Sequence, residues 1–204
     1  MHGQAETLLP LVDRVMRRAG QVPAAIGLVV VTVGPGSFTG VRVGLAAANG
    51  IALATGARLI GVTSFDAVAV EAGRSDCAEA PLLLIALESR REDLYVQFFD
   101  AHGNPLREPA AIMPSTLGAL VDATVGRMPL LIAGDAAQRA GATLAERPNT
   151  AILKDSAPEA AGALRAGLRL LRLGEPAHDP RPLYLRAPDV TLPDGSRKPS
   201  LART

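Results

Sequence analysis

Residues 26–44 read IGLVVVTVGPGSFTGVRVG. The β-branched run Ile26–Val33 shows no alternation of apolar and polar positions, the pattern of a strand buried on both faces. It leads straight into Gly34-Pro35-Gly36-Ser37-Phe38-Thr39-Gly40, after which Ser37 or Thr39 can cap a helix over Val41–Ala54. Arg58–Val62 reads as a second buried strand, and Thr63 or Ser64 opens a helix to about Glu71. Upstream, Gln4–Arg18 sets Leu8, Leu9, Val12, Val15 and Met16 at helical spacing, with Gly20 and Pro23 as the stop. The order helix, strand, helix, strand, helix contains one right-handed βαβ unit. Two strands do not make a stable sheet by themselves. The opening strands are therefore expected to be missing from the sequence as it stands, through truncation, a misplaced start or disorder.

Past Gly73–Glu79, PLLLIALES and DLYVQFFD form two strand-like runs around the charged turn Arg90-Arg91-Glu92, a hairpin pattern. Ala110–Met113 adds a short strand, Ser115–Ala123 a capped helix, Pro129–Ala133 a strand ending in Gly134-Asp135, and Ala157–Leu173 a helix rich in Ala, Leu and Arg. From Pro176 prolines recur and periodicity stops, so the chain is expected to lie over the surface and fray. The expected organisation is an α/β domain over residues 1–76 with a possible C-terminal return, a smaller α/β domain over 77–186, and a flexible tail over 187–204.

With 204 residues, 48% apolar and 20% charged, the chain has material for sizeable cores and is not disordered throughout. A formal charge of +1 gives no global attraction to phosphate backbones or acidic lipid, so any nucleic-acid contact has to be local. The 3% aromatic content and absence of Trp argue against base-stacking platforms that bind single strands. Cys77 is the single cysteine, which forbids an intramolecular disulfide and fits a cytoplasmic setting. No stretch approaches the run of about 20 apolar residues that spans a bilayer, since Ile26–Val33 is broken at Gly34 and Pro35.

The glycine loop has two readings. Glycines, free N–H groups and a helix start favour a bound anion. However, Val41 and Arg42 stand where a P-loop needs Lys and Ser or Thr, the third glycine falls one residue late for a dinucleotide fingerprint, and Gly61-Val62-Thr63 supplies no ribose-binding acid. The plainer reading is a tight turn whose glycines take positive φ and bring helix close to strand. Gly40, Gly44, Ala48 and Ala52 then recur every four residues, a smooth face suited to intramolecular packing or to another subunit's helix. His2, His102 and His178 form no HxxxH or HExxH pair, and Ser37 is not in a GxSxG elbow. These residues are read as solvated or capping. Glu88, Arg90, Arg91, Glu92 and Asp93 read as a solvated hairpin tip, one whose arginines could also touch tRNA.

GPGSFTGVRVG followed by LAAANGIALATGARLIGVTSFDAVA resembles the signature block of the TsaB family, the non-catalytic subunit of the bacterial machinery that makes threonylcarbamoyladenosine in tRNA. HGQAETLLPLVDRVM is similar to that family's first helix, ESRREDLYVQFFD to its hairpin, and PLYLRAP at residues 182–188 to its C-terminal signature. The resemblance implies an actin-like, RNase H-like ATPase fold of two domains, with the N-terminal β-hairpin strands of the first domain absent from this chain. It implies no catalytic residue, metal or cofactor held by this chain, ATP and Mg being used by the complex. The partners it implies are a TsaD-like catalytic subunit, a TsaE-like ATPase and tRNA through the complex, with no membrane partner and a possible homodimer in isolation. Leu8, Leu9, Val12, Val41, Gly44, Ala48 and Ile51 become the candidate partner face, and Gly34–Gly40 a structural or vestigial phosphate loop. Peptidase activity is not expected. The alternatives are a nucleotide-dependent phosphotransferase using Gly34–Gly40 and, less simply, an NAD-binding domain.

Overall fold

The structure, a computed structural model, describes residues 4–74 and 82–186. Cys77 and the tail 187–204 lie outside the described residues. Helix α1 spans Gln4–Arg18, and a short turn at Pro23–Ala25 leads into β1, Leu28–Thr32. Helix α2, Phe38–Thr55, starts where the Ser37 hydroxyl accepts the Gly40 N–H at 3.0 Å and ends at Gly56, which takes the left-handed conformation at φ 71°. Strand β2, Arg58–Val62, pairs parallel with β1 from Leu28 opposite Arg58 to Thr32 opposite Val62. Helix α3, Ser64–Ala72, is fixed by a capping box in which the Thr63 hydroxyl accepts from the Asp66 N–H and the Asp66 carboxylate accepts from the Thr63 N–H.

The second sheet has five strands in the order β5-β4-β3-β6-β7: β3 is Leu82–Glu88, β4 Leu94–Asp100, β5 Ala110–Ile112, β6 Leu130–Ala133 and β7 Thr150–Ile152. The β3–β4 and β4–β5 pairs are antiparallel, and β3–β6 and β6–β7 are parallel. Helix α4, Pro114–Val125, and helix α5, Ala137–Ala142, cover one face, where Leu84, Val96 and Phe98 meet Leu117 and Val121. The other face presents Leu83, Ile85 and Phe99 to Phe65, Val68 and Ala69 of α3. Covering both faces makes β3 apolar at nearly every position rather than alternating. Neither α5 nor β7 is legible in the sequence, because six and three residues are too few to display a period.

Helix α6, Ala160–Leu173, returns to the first sheet and packs on α3, burying Ala163 and Ala166 against Val62 and Ala67. Two glycines permit this approach. A Cβ at Gly167 would lie 2.9 Å from side-chain atoms of Val30 and Ile60, and one at Gly162 would press on the Ala67 carbonyl. The opposite face carries α2, with Leu45 and Ala48 buried against Val31 and Val33.

Four sequence expectations need correction. Strand β1 is half-buried rather than buried throughout, because β2 is its only ladder partner among the described residues. Helix α2 is, by length and composition alone, long and apolar enough to cross a membrane, with 17% of it buried; its Ala content raises hydropathy without a continuous run of large apolar side chains. The segment after Gly174 does not merely lie over the surface. His178 forms an antiparallel bridge with Gly61, and the Leu183 N–H donates to the Val33 carbonyl at 2.8 Å, so it straps the first sheet. Finally, α4 begins at Pro114 without a side-chain cap, so Ser115 lies inside the helix.

Candidate functional site

The glycine loop lies where the first sheet, the strap and the start of α3 converge. The Ser64 N–H donates to the Gly34 carbonyl at 2.8 Å, Gly34 has φ 114°, and the Gly34–Pro35 peptide is cis. Val33, Gly34 and Pro35 are buried, and a Cβ at Gly34 would sit 3.2 Å from the Leu183 carbonyl oxygen. This half of the loop is a packed turn. Gly36, Phe38 and Thr39 are exposed, and beside them opens a cavity of about 380 Å³ bounded by β4 and the strap.

This cavity joins glycine-loop residues to side chains from the hairpin and the strap that the sequence reading had not connected with them. The Arg42 guanidinium lies 3.6 Å from the Phe38 ring centroid and 5.8 Å from that of Tyr184, and its Nε donates to the Tyr184 hydroxyl at 2.9 Å. The two rings stand 5.8 Å apart at 31°. Tyr95, Arg91 and Arg186 complete the wall. No sequence window could have paired Arg42 with Tyr184, which is 142 positions away.

The hairpin tip is exposed at Arg90, Arg91 and Glu92, as the solvated reading expected, but its base is tied down. The Ser89 hydroxyl donates to the Asp93 carboxylate at 2.7 Å, and Arg186 lies 3.3 Å from the same carboxylate, whose side chain is 6% exposed. Arg139 of α5 donates to Glu88 at 2.7 Å, to the Arg91 carbonyl at 3.0 Å, and to the carbonyls of Glu92 and Asp93. His178 is likewise neither free nor a cap: its Nε2 lies 3.4 Å from Asp66 Oδ2. Burial pushes the Asp66 carboxyl up, but hydrogen bonds from His178 and from the Thr63 hydroxyl and N–H outweigh it and hold the group below the usual carboxylate range. The hydrogen bond to Asp66 raises His178 above its ordinary value, against partial burial. Among the described residues no group of three or more His, Cys, Asp or Glu is arranged to hold a metal ion.

The expected partner face divides in two. Leu8, Val12, Gly44, Ala48 and Ile51 line a groove of about 410 Å³ along the free edge of β1, reaching Val30 and Ala163. Ala48 is 6% exposed and belongs to the core with Val31, and Val41 packs against the same cluster. Of these seven Leu9 is the most exposed, at 53%, while Leu8, Val12, Val41, Gly44 and Ile51 are half-buried; elsewhere on α1 and α2, Val15 is 55% and Leu53 88% exposed.

Residues 2–153 match the sequence profile of the family described as TsaD, tRNA N6-adenosine threonylcarbamoyltransferase. The Escherichia coli protein named tRNA threonylcarbamoyladenosine biosynthesis protein TsaB is 33% identical over 90 residues, 44% of this chain and 38% of that protein. An Erythrobacter litoralis tRNA N6-adenosine threonylcarbamoyltransferase is 38% identical over 72 residues, 35% of this chain and 21% of that protein. The chain thus spans well under half the length of the curated relatives it matches. A crystal structure from Pseudomonas aeruginosa, described as an uncharacterized protein with similarity to peptidase YeaZ, superposes with a TM-score of 0.72 at 24% identity, covering 91% of this chain and 85% of that one. A second, YeaZ from the same organism, gives 0.70 over 90% of this chain and 85% of its own length. These likenesses show the fold, the α/β architecture of the actin-like, glycoprotease-type proteins. With the profile match running through most of its length, the chain belongs to the TsaD/TsaB family.

Proposed function

We propose that this chain is a TsaB-like, non-catalytic subunit that docks a TsaD-like catalytic subunit through the outer face of α1 and α2, and so supports threonylcarbamoyl transfer to the adenosine 3′ of the anticodon in tRNA. The observation that carries this reading is the exposure of Leu9, Val15 and Leu53 on these helices. Beside them Leu8, Val12, Gly44 and Ile51 line an open groove, and apolar surface of this kind gains by burial against another protein. Family membership and the likeness to the E. coli TsaB protein support the same pathway. A TsaE-like ATPase, with ATP and Mg, belongs to the complex rather than to this chain. The setting is cytoplasmic, the same face serves a homodimer when the partner is absent, and the domains divide between residues 76 and 77 with α6 returned to the first.

The phosphotransferase alternative draws less support. Half of the glycine loop is filled by Pro35 under the strap, and the Asp66 carboxylate at the adjoining helix start is occupied by Thr63 and His178. Calorimetry with ATP-Mg tests it, and binding with phosphate transfer would restore it. The scaffold reading is tested by size exclusion with light scattering on the full-length protein, alone and mixed with the TsaD homologue of the same cell. A one-to-one complex with the wild type, lost in Leu53→Glu at unchanged melting temperature, is the expected result. Two folded proteins that never associate, or a complex indifferent to Leu53→Glu and Val15→Glu alike, would overturn it.

A further inference from the structure

We propose that the cavity walled by Phe38, Arg42, Tyr95 and Tyr184 is a binding site for one unpaired nucleotide of an RNA strand, with the base on the aromatic faces and its phosphate on the arginines. The inference stands on this cavity and does not depend on the α1–α2 docking surface. The chain has only four Phe and two Tyr and no Trp, yet both tyrosines and one phenylalanine line this one cavity. Phe38 is 51% and Tyr184 47% exposed, so ring surface stays open beside the cavity instead of filling a core. Three lining residues, Arg42, Arg91 and Arg186, are cationic, and none of the lining residues is acidic. Behind the wall, the buried Asp93 carboxylate lies 3.3 Å from Arg186.

Arg42 is the centre of the argument. Stacking on Phe38 and the bond from Nε to the Tyr184 hydroxyl hold its guanidinium, whose Nη groups make no hydrogen bond among the described residues. Among the described residues no carboxylate lies within ion-pair distance of Arg42. A planar guanidinium held beside open rings suits a phosphate oxygen with a stacked base, and an ammonium would not reproduce that geometry. Stacking needs no particular base, so the site is tolerant of sequence. A volume of about 380 Å³ is enough for one nucleotide. Such a site also satisfies the requirement, set by the net charge of +1, that nucleic-acid contact be local.

The test is fluorescence anisotropy of the full-length protein with a labelled single-stranded oligoadenylate, AMP serving as competitor. Saturable binding is expected, with Arg42→Ala and Phe38→Leu each weakening it by roughly tenfold, and Arg42→Lys falling between wild type and Arg42→Ala. Circular dichroism establishes that each variant is folded; if Arg42→Ala is not, Arg42→Lys and Phe38→Leu carry the comparison. Arg127→Ala, which lines a different cavity, is expected to bind as wild type. AMP competing as tightly per molecule as the oligonucleotide would keep the nucleoside-phosphate chemistry but overturn RNA as its source. Absence of saturable binding, or binding unchanged in folded Arg42→Lys and Phe38→Leu, would overturn the site itself.

Discussion

Replacing Gly61 with alanine tests how the C-terminal strap is held. A methyl group there would lie 2.6 Å from the His178 carbonyl oxygen and 2.8 Å from Val33 Cγ1. Val33 is 2% exposed and has no room to retreat, so the strap must move. That movement breaks the reciprocal Gly61–His178 backbone bonds at 3.1 and 3.2 Å and draws His178 away from Asp66. Overpacking costs about 1–3 kcal/mol and each lost hydrogen bond about 0.5–1.5 kcal/mol. Because strap displacement relieves the overpacking while losing the bonds, these do not simply add, and a net loss of about 2–4 kcal/mol is expected. Urea denaturation measures the loss, and hydrogen exchange at the Leu183 amide reports whether the strap has lifted from Val33. A loss below about 0.5 kcal/mol with Leu183 still protected would refute the reasoning, since the backbone would have absorbed a contact that Val33 and the bridge are argued to forbid.

Other outcomes follow from the same geometry. The sign of the Asp66–His178 linkage gives a stability window: the contribution of His178, whose folded value is raised, is complete below its ordinary 6.5 and lost as pH rises through the raised value. That of Asp66, whose folded value is lowered, is present above its ordinary 3.8 and lost as pH falls through the lowered value. Stability from this pair is therefore greatest between those ordinary values, and Asp66→Asn is expected to flatten both limbs in denaturation measured across pH. Gly44 has open space where a Cβ would stand, so Gly44→Ala is expected to be neutral or to raise stability by up to about 1 kcal/mol, whereas Ala48→Leu costs about 1–3 kcal/mol by thermal melts. Arg139→Ala removes the donors that tie α5 to the hairpin tip; a loss of about 1–3 kcal/mol and faster exchange at residues 89–93 are expected, and unchanged exchange would count against this tether.

The sequence by itself determined the β1–α2–β2–α3 order, the β3–β4 hairpin and the family. Each follows from information held within a short window: a β-branched run, a Ser or Thr cap, an apolar period, a signature string. What only the tertiary structure decided are matters of chain return. Leu8, Val12, Gly44, Ala48 and Ile51 share the apolar spacing of the exposed positions, and only packing against β1 shows that they line a groove or core while Leu9, Val15 and Leu53 face out. His178 looked solitary because its partner, Asp66, lies in a different element. The hairpin tip is exposed at Arg90, Arg91 and Glu92 as its charge suggests, but the ties from Arg139 to Glu88 and from Arg186 to Asp93 come from distant segments. Arg42 and Tyr184 meet across 142 positions for the same reason. Local propensity sets which elements form, but which polar groups converge depends on the long-range burial that folds the strap and α6 back over the first sheet.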